Sequence, residues 1–178
     1  MQVVSTPLLR DIAADAGLGF VAMATLSGRA VNFMSRRLPG LGKRGTHRQV
    51  EQFRSSGGTK GNMLMGKPVF LLDVVGRTSG ESRPVMLMLA ERGDDLVVIG
   101  SNGGHPVAPN WYKNLMAAGT AAVQVRADTW PVTPRTLDDG PERDECWDLA
   151  VAAYPDFATY QELTDRRIPV VLLERSSA

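Results

Sequence analysis

The sequence predicts a mainly β, α+β domain: a small barrel of about six mostly antiparallel strands, with helices inserted between hairpins and flanking them. Three observations carry this prediction. Apolar, β-branched runs come in pairs joined by short polar turns, the pattern of hairpins. Strands and helices do not alternate in a βαβ rhythm, which argues against a doubly wound parallel sheet. And 178 residues, 43% apolar and 22% charged, amount to one ordinary globular core.

The elements follow from period and punctuation. Leu8, Leu9, Ile12 and Ala16 recur at helical spacing, with Thr6 to cap and Pro7 at the first position. Val31, Phe33, Met34 and Leu38 allow a second short helix, stopped by Pro39. Val69 to Val75 has the length and branching of a buried strand and is broken by Gly76 to Gly80. Val85 to Ala90 and Leu96 to Ile99 are two more strands around a turn at Arg92 to Asp95. Asn110 to Ala118 reads as a helix ended by Gly119. Ala121 to Val125 and Trp130 to Arg135 pair around Ala127-Asp128. Pro141 to Ala153 is a strong helix, Phe157 to Thr164 a shorter one, and Ile168 to Leu173 the last strand.

Charge divides the chain unevenly. The total is +1, yet residues 1–62 carry nine basic and three acidic side chains. Most of that excess lies among Arg29, Arg36, Arg37, Lys43, Arg44, Arg48 and Arg54, interspersed with glycine. Residues 1–62 are therefore expected to form a loosely structured, partly helical basic leader, and residues 63–178 the barrel. The leader reads either as a solvated flap or as an arm that touches anionic lipid or an anionic ligand. No apolar run reaches the ~20 residues of a membrane span, and no signal-peptide pattern opens the chain. A soluble, cytoplasmic protein is expected, with at most a weak membrane-surface contact through the leader. The basic stretch lacks interleaved aromatics, so no nucleic-acid partner is expected.

Three familiar motifs fail on context. Gly40 to Gly45 spells G-x-G-x-x-G, but no strand precedes it and no acid follows at the required distance. Gly61 to Lys67 nearly spells a P-loop, but Pro68 supplies no hydroxyl and a strand follows instead of a helix. His47 and His105 are the only histidines and stand at no metal-ligand spacing, Cys146 is the single cysteine, and no G-x-S-x-G elbow exists. No metal site is expected, and hydrolase chemistry loses its support.

Three other segments carry chemistry. Gly76-Arg-Thr-Ser-Gly-Glu-Ser-Arg83 puts two guanidines and several hydroxyls in one tight loop, suited to a phosphate or to a plain polar hairpin. In Ser101 to Asn114, the Gly103-Gly104 pair lets a ligand approach backbone. Trp111 and Tyr112 open a helix whose free N–H groups favour anions, or else pack in the core. Tyr154, Phe157 and Tyr160 form an aromatic trio, either a wall over a planar ring or an ordinary core face.

Together these segments resemble the deazaflavin-dependent nitroreductase family of actinobacteria, within the split β-barrel flavin and deazaflavin oxidoreductases. The resemblance covers about residues 67–174. It rests on Gly76-Arg-x-Ser-Gly80 with Arg83, Gly103-Gly104, Asn110-Trp-Tyr112 with Asn114-Leu115, Tyr154-Pro155, and Thr164-Asp-Arg166 with Ile168-Pro-Val170. It implies a split β-barrel that binds coenzyme F420. Arg77, Thr78, Ser79 and Arg83 would then hold the coenzyme's phosphate and acidic tail. Pro84, Val85, Met86, Leu87, Met88 and Leu89 would lie along its ring. Ile99, Gly100, Ser101 and Asn102, with Asn110, Trp111, Tyr112, Lys113 and Asn114, would complete the site. Phe157 would join them, and Tyr154 and Tyr160 would be the catalytic-side hydroxyls facing the substrate. Two positions depart from the family pattern: Phe157 is often tyrosine, and Asn102 is often lysine. The implied activity is hydride transfer from reduced F420 to a small electron-poor acceptor, an enone, a quinone or a nitro-aromatic. An FMN enzyme on the same barrel and a non-catalytic F420 carrier are the alternatives. The oligomeric state is left open.

Overall fold

The computed structural model describes residues 39–176, with side chains from 47 onward. The two short helices expected before Pro39 lie outside the described residues. From there the order is α1 (Pro39–Ser55), β1 (Met63–Leu64), β2 (Lys67–Val75), β3 (Ser82–Met88), β4 (Glu91–Arg92) and β5 (Asp95–Ile99). A single 3-10 turn (Asn102–Gly104), α2 (Asn110–Ala118), β6 (Ala121–Val125) and β7 (Asp128–Thr136) follow. The chain closes with α3 (Pro141–Ala153), α4 (Asp156–Glu162) and β8 (Val170–Arg175).

All pairings among the described strands are antiparallel, and the sheet runs β1-β2-β6-β7-β8-β5-β4, with β3 on the remaining side of β2. It curls into a split barrel whose seam lies between β3 and β5, which do not pair with each other. The six expected strands are the long ones. The two-residue β1 and β4 are the additions, too short to leave a period in sequence.

Why the long strands read as nearly continuous apolar runs is clear from their two faces. Alternate residues of a strand point to opposite sides. Phe70, Leu72 and Val74 of β2 join Val98, Val123, Val132, Val171 and Leu173 in the barrel interior, where α2 adds Leu115. Their neighbours Val69 and Leu71 face outward to Val50 and Phe53 of α1. On the far side, Val97, Ile99, Val170 and Leu172 face outward to Cys146 and Ala150 of α3 and to Tyr154, Phe157 and Tyr160. Both faces of β2, β5 and β8 are thus covered, and these strands are apolar on both.

Helix α1 corrects the expectation of a loose stretch up to residue 62. Gly40, Gly42 and Gly45 read as loop signals, yet they lie inside a 17-residue helix. Val50 and Phe53, at i and i+3, seal it to the barrel, and Phe53 is fully buried. Arg54 adds an ion pair with Asp73 of β2, whose other oxygen accepts from the Ser82 hydroxyl at 2.5 Å. The segment that nearly spelled a P-loop is the β1–β2 hairpin, turning at Met65 and Gly66 with positive φ at both. Among the described residues no helix is long and apolar enough to cross a membrane.

Candidate functional site

The loop joining β2 to β3 is closed by its own backbone. Gly76 N–H donates to the Glu81 carbonyl at 2.8 Å, and Gly80 N–H to the Gly76 carbonyl at 2.8 Å. Gly80 sits at φ +69, open to glycine at little cost. Arg77 extends from this loop to α2: its Nη1 donates to Asn114 Oδ1 at 2.7 Å and its backbone N–H to the same oxygen at 3.4 Å. Asn114 is buried and holds Arg77 from below. Arg83 donates to Ser79 Oγ at 3.2 Å and pairs with Glu81 at 2.7 Å, both partners well exposed. Thr78 is exposed as well. Two guanidines and two hydroxyls therefore stand at one rim of the barrel.

The seam next to that rim holds a cavity of about 330 Å³. Val85, Met86, Leu87 and Met88 of β3 form one wall, and Val97, Val98 and Ile99 of β5 the other. Ser101, Asn102, Pro109 and Trp111 add to the lining from the loop and helix after β5, and Leu64, Met65, Tyr154, Phe157 and Tyr160 from β1, its turn and the segment around α4. The lining is mostly apolar, with few polar groups, and its size lies within the range of small-molecule sites. A larger groove, about 740 Å³, opens beside Asp94, Asp95, Trp130 and Arg175. Arg175 already covers the Trp130 ring there at 4.6 Å, and the groove shares no residue with the arginine loop or the aromatic trio.

The aromatic trio is both core and wall. Tyr154, Phe157 and Tyr160 are each exposed by less than a tenth and belong to the cluster under α3. They also line the cavity. Tyr154 and Phe157 meet edge to face with centroids 5.1 Å apart. Burial is the main cause that lifts both phenols above the ordinary tyrosine range.

The Ser101–His105 loop is clamped from outside by Arg166. Its Nε donates to the His105 carbonyl at 2.8 Å, and its Nη2 to the carbonyls of Gly100 and Ser101 at 3.0 and 2.6 Å. Asn102 takes φ +48, a conformation asparagine tolerates better than lysine, and its Nδ2 donates to the Val107 carbonyl at 2.8 Å. That gives Asn102 a local role at a position where the resemblance leads one to expect lysine.

Other sequence-derived residues are placed differently. Pro84 precedes the cavity wall, Leu89 lines a separate groove with Glu91 and Arg126, and Gly100 packs against Pro169. Tyr112 points to β7, its hydroxyl 3.4 Å from that of Thr136, so only Trp111 of the pair lines the cavity. Asn110 and Lys113 lie on the first turns of α2 outside the lining. Gly104 is needed for close packing inside the protein: an added Cβ would meet the Tyr160 carbonyl and Leu163 Cβ at 2.8 Å, at φ +74. Gly104→Ala is expected to cost about 2–3 kcal/mol from the left-handed backbone and the clash. It should raise the KM for the acceptor, because α4 must move with Tyr160. An unchanged melting curve would remove that role from Gly104. Leu64, Met65, Val97, Val98 and Pro109 are lining residues the sequence did not single out. Met65 lies in a positive-φ turn that no periodicity announces.

The fold is an antiparallel split barrel with an apolar cavity in its seam and a cationic loop at the rim. A family model, F420H(2)-dependent quinone reductase, matches residues 46–175. The chain belongs to that family and is an F420-dependent oxidoreductase, so F420 takes the place left open between it and FMN. The chain is similar to an F420H(2)-dependent quinone reductase of Mycobacterium tuberculosis (strain H37Rv), 30% identical over 126 residues, 69% of this chain and 85% of the relative. Among solved structures it is similar to an F420-H2 dependent reductase at 42% identity, with a TM-score of 0.56 over 60% of this chain and 94% of that one. Another, described as a domain-swapped dimer, is 40% identical with a TM-score of 0.59, covering 72% of this chain and 96% of its own.

Proposed function

We propose that the deazaflavin ring of F420 lies in the seam cavity along β3, with its acidic tail held at the rim, and that quinones are the acceptors reduced there. The observation that carries this reading is the continuity of β3. Its residues Val85 to Met88 line the cavity, while Arg83 is the second residue of the same strand, next to the cationic loop. At ~3.3 Å per residue, Arg83 stands about 7–17 Å along the strand from those four residues. A ligand with a flat apolar ring at one end and anionic groups at the other fits that pairing.

When bound and reduced, the deazaflavin supplies a hydride from the carbon that replaces the flavin nitrogen. The chain's own residues bind, orient and exclude water. The cations Arg77, Arg83 and Lys113 offer donors only, and the Thr78 and Ser79 hydroxyls can donate beside them, which matches an anionic tail. The β3 wall and Trp111 hold a ring flat and keep water off it. Tyr154 and Tyr160 face the acceptor with their hydroxyl oxygens, while Phe157 offers an apolar face. The family description and a relative described as a quinone reductase favour quinones as the acceptors.

Difference absorbance titration with F420 beside FMN, followed by anaerobic turnover of the reduced coenzyme, tests the proposal. Micromolar binding of F420 and faster oxidation by a naphthoquinone than by an enone or a nitroimidazole are expected. No binding of F420 at micromolar concentration, or no quinone turnover, would overturn it.

A further inference from the structure

The hydroxyls of Tyr154 and Tyr160, two residues that line the cavity, form a chain whose direction one carboxylate decides. Tyr154 Oη lies 3.0 Å from Asp156 Oδ2, 3.2 Å from Tyr160 Oη and 3.6 Å from Met65 Sδ. Each phenol has a single hydrogen, whereas a carboxylate has none. The carboxylate is also the strongest acceptor of the three. Tyr154 therefore gives its hydrogen to Asp156. The contact between the two tyrosines must then use the hydrogen of Tyr160. Both hydrogens are spent within the chain, and the pair offers a ligand only oxygen lone pairs. Because burial favours the neutral phenols, neither hydrogen is surrendered near neutrality.

We propose that Asp156 is a positioning residue that turns the tyrosine end of the cavity into a hydrogen-bond acceptor, and so selects acceptors that carry an N–H or O–H group beside the reducible ring. The substrate class is an amino- or hydroxy-substituted quinone, preferred over one with a methyl group at the same position. The inference rests on the quinone reading above. Asp156 is the first residue of α4, where a negative charge is favourable, and it touches the acceptor only through Tyr154 and Tyr160. Without it, Tyr154 is free to donate to Tyr160, and the Tyr160 hydrogen turns toward the cavity. A plain quinone carbonyl then gains a donor, and a ligand donor loses its partner.

The test compares kcat/KM for an aminonaphthoquinone and the corresponding methylnaphthoquinone, each with reduced F420, in the wild type, Asp156→Ala, Asp156→Glu and Tyr160→Phe. Differences in intrinsic reactivity between the quinones cancel when amino-to-methyl ratios are compared between variants. The ratio should fall about 5- to 10-fold in Asp156→Ala, the size of one neutral hydrogen bond made and one lost. Asp156→Glu should recover most of it, and Tyr160→Phe, which removes one acceptor but adds no donor, should lower the ratio less than Asp156→Ala does. Damage to the fold would lower both quinones together and leave the ratio unchanged. A ratio within twofold of wild type in Asp156→Ala overturns the proposal. If the wild type reduces neither quinone, the quinone reading fails, and the same ratio taken from equilibrium dissociation constants on the F420-bound protein still decides the role of Asp156.

Discussion

Arg77→Ala should weaken F420 binding by about 10- to 100-fold, the loss of a charge-assisted hydrogen bond to an anionic tail. The expectation rests on how the side chain is held. Asn114, buried on α2, accepts from both the Arg77 guanidinium and its backbone N–H, which fixes one end of the fork and leaves its remaining donors at the rim. A preorganised guanidinium loses less entropy when a ligand arrives than a free one does. Stability should change little. The Arg77 side chain lies on the surface, and its backbone N–H still reaches Asn114 after truncation. Arg77→Lys keeps the charge but not the planar fork, so it should fall between wild type and alanine. The salt dependence of binding should also become shallower in the alanine variant, since one screened attraction is gone. Absorbance titrations at two ionic strengths, beside a melting curve, check all of this. A dissociation constant within twofold of wild type would return the loop to a plain polar hairpin.

The fold was legible where a single local signal decided it. Gly119, at φ +67, ends α2 with its N–H on the Leu115 carbonyl, and the sequence placed that boundary correctly. β2 and β8 were readable because both of their faces are buried, so their apolar runs are unbroken. α1 was not readable, because three glycines outweighed the anchor pair Val50 and Phe53. Propensity argues against a helix there, and tertiary burial overrides it. The arginine loop was legible as a motif, since Arg77, Ser79 and Arg83 lie close together between β2 and β3. The seam was not, because it joins residues from β1, β3, β5, α2 and α4 that only the curl of the sheet brings together. Tyr154 was read as one of an aromatic trio with Phe157 and Tyr160, either a wall over a ring or a core face. It stands between α3 and α4, where its hydroxyl meets Asp156 and Tyr160. A lone acid after a proline reads in sequence as an ordinary first-turn charge, and nothing in the pattern reveals which hydroxyl it faces.

The largest loss of stability is expected from Phe53→Ala. Phe53 is fully buried between α1 and the outward face of the β2–β3 hairpin, against Val69, Leu71 and Met86. Truncating a buried phenylalanine costs about 3–5 kcal/mol in lost transfer energy and cavity. In a chain of this length that lowers the melting temperature by roughly 6–20 °C. Phe53→Leu, which fills most of the volume, should lose far less. The effect reaches the site through one residue. Met86 packs with Phe53 on α1 and also lines the seam cavity. A hole behind Met86 lets that side chain withdraw, so the wall under the ring loosens and F420 binding should weaken by severalfold in the folded variant. Val50→Ala makes a smaller hole in the same cluster and should show both effects to a lesser degree. The two readouts separate the causes. A lower melting temperature with unchanged F420 affinity would mean that α1 only stabilises the barrel. Unchanged stability in Phe53→Ala would mean that α1 does not seal this face of the sheet, and the residues before Met63 would then return to the role of a leader.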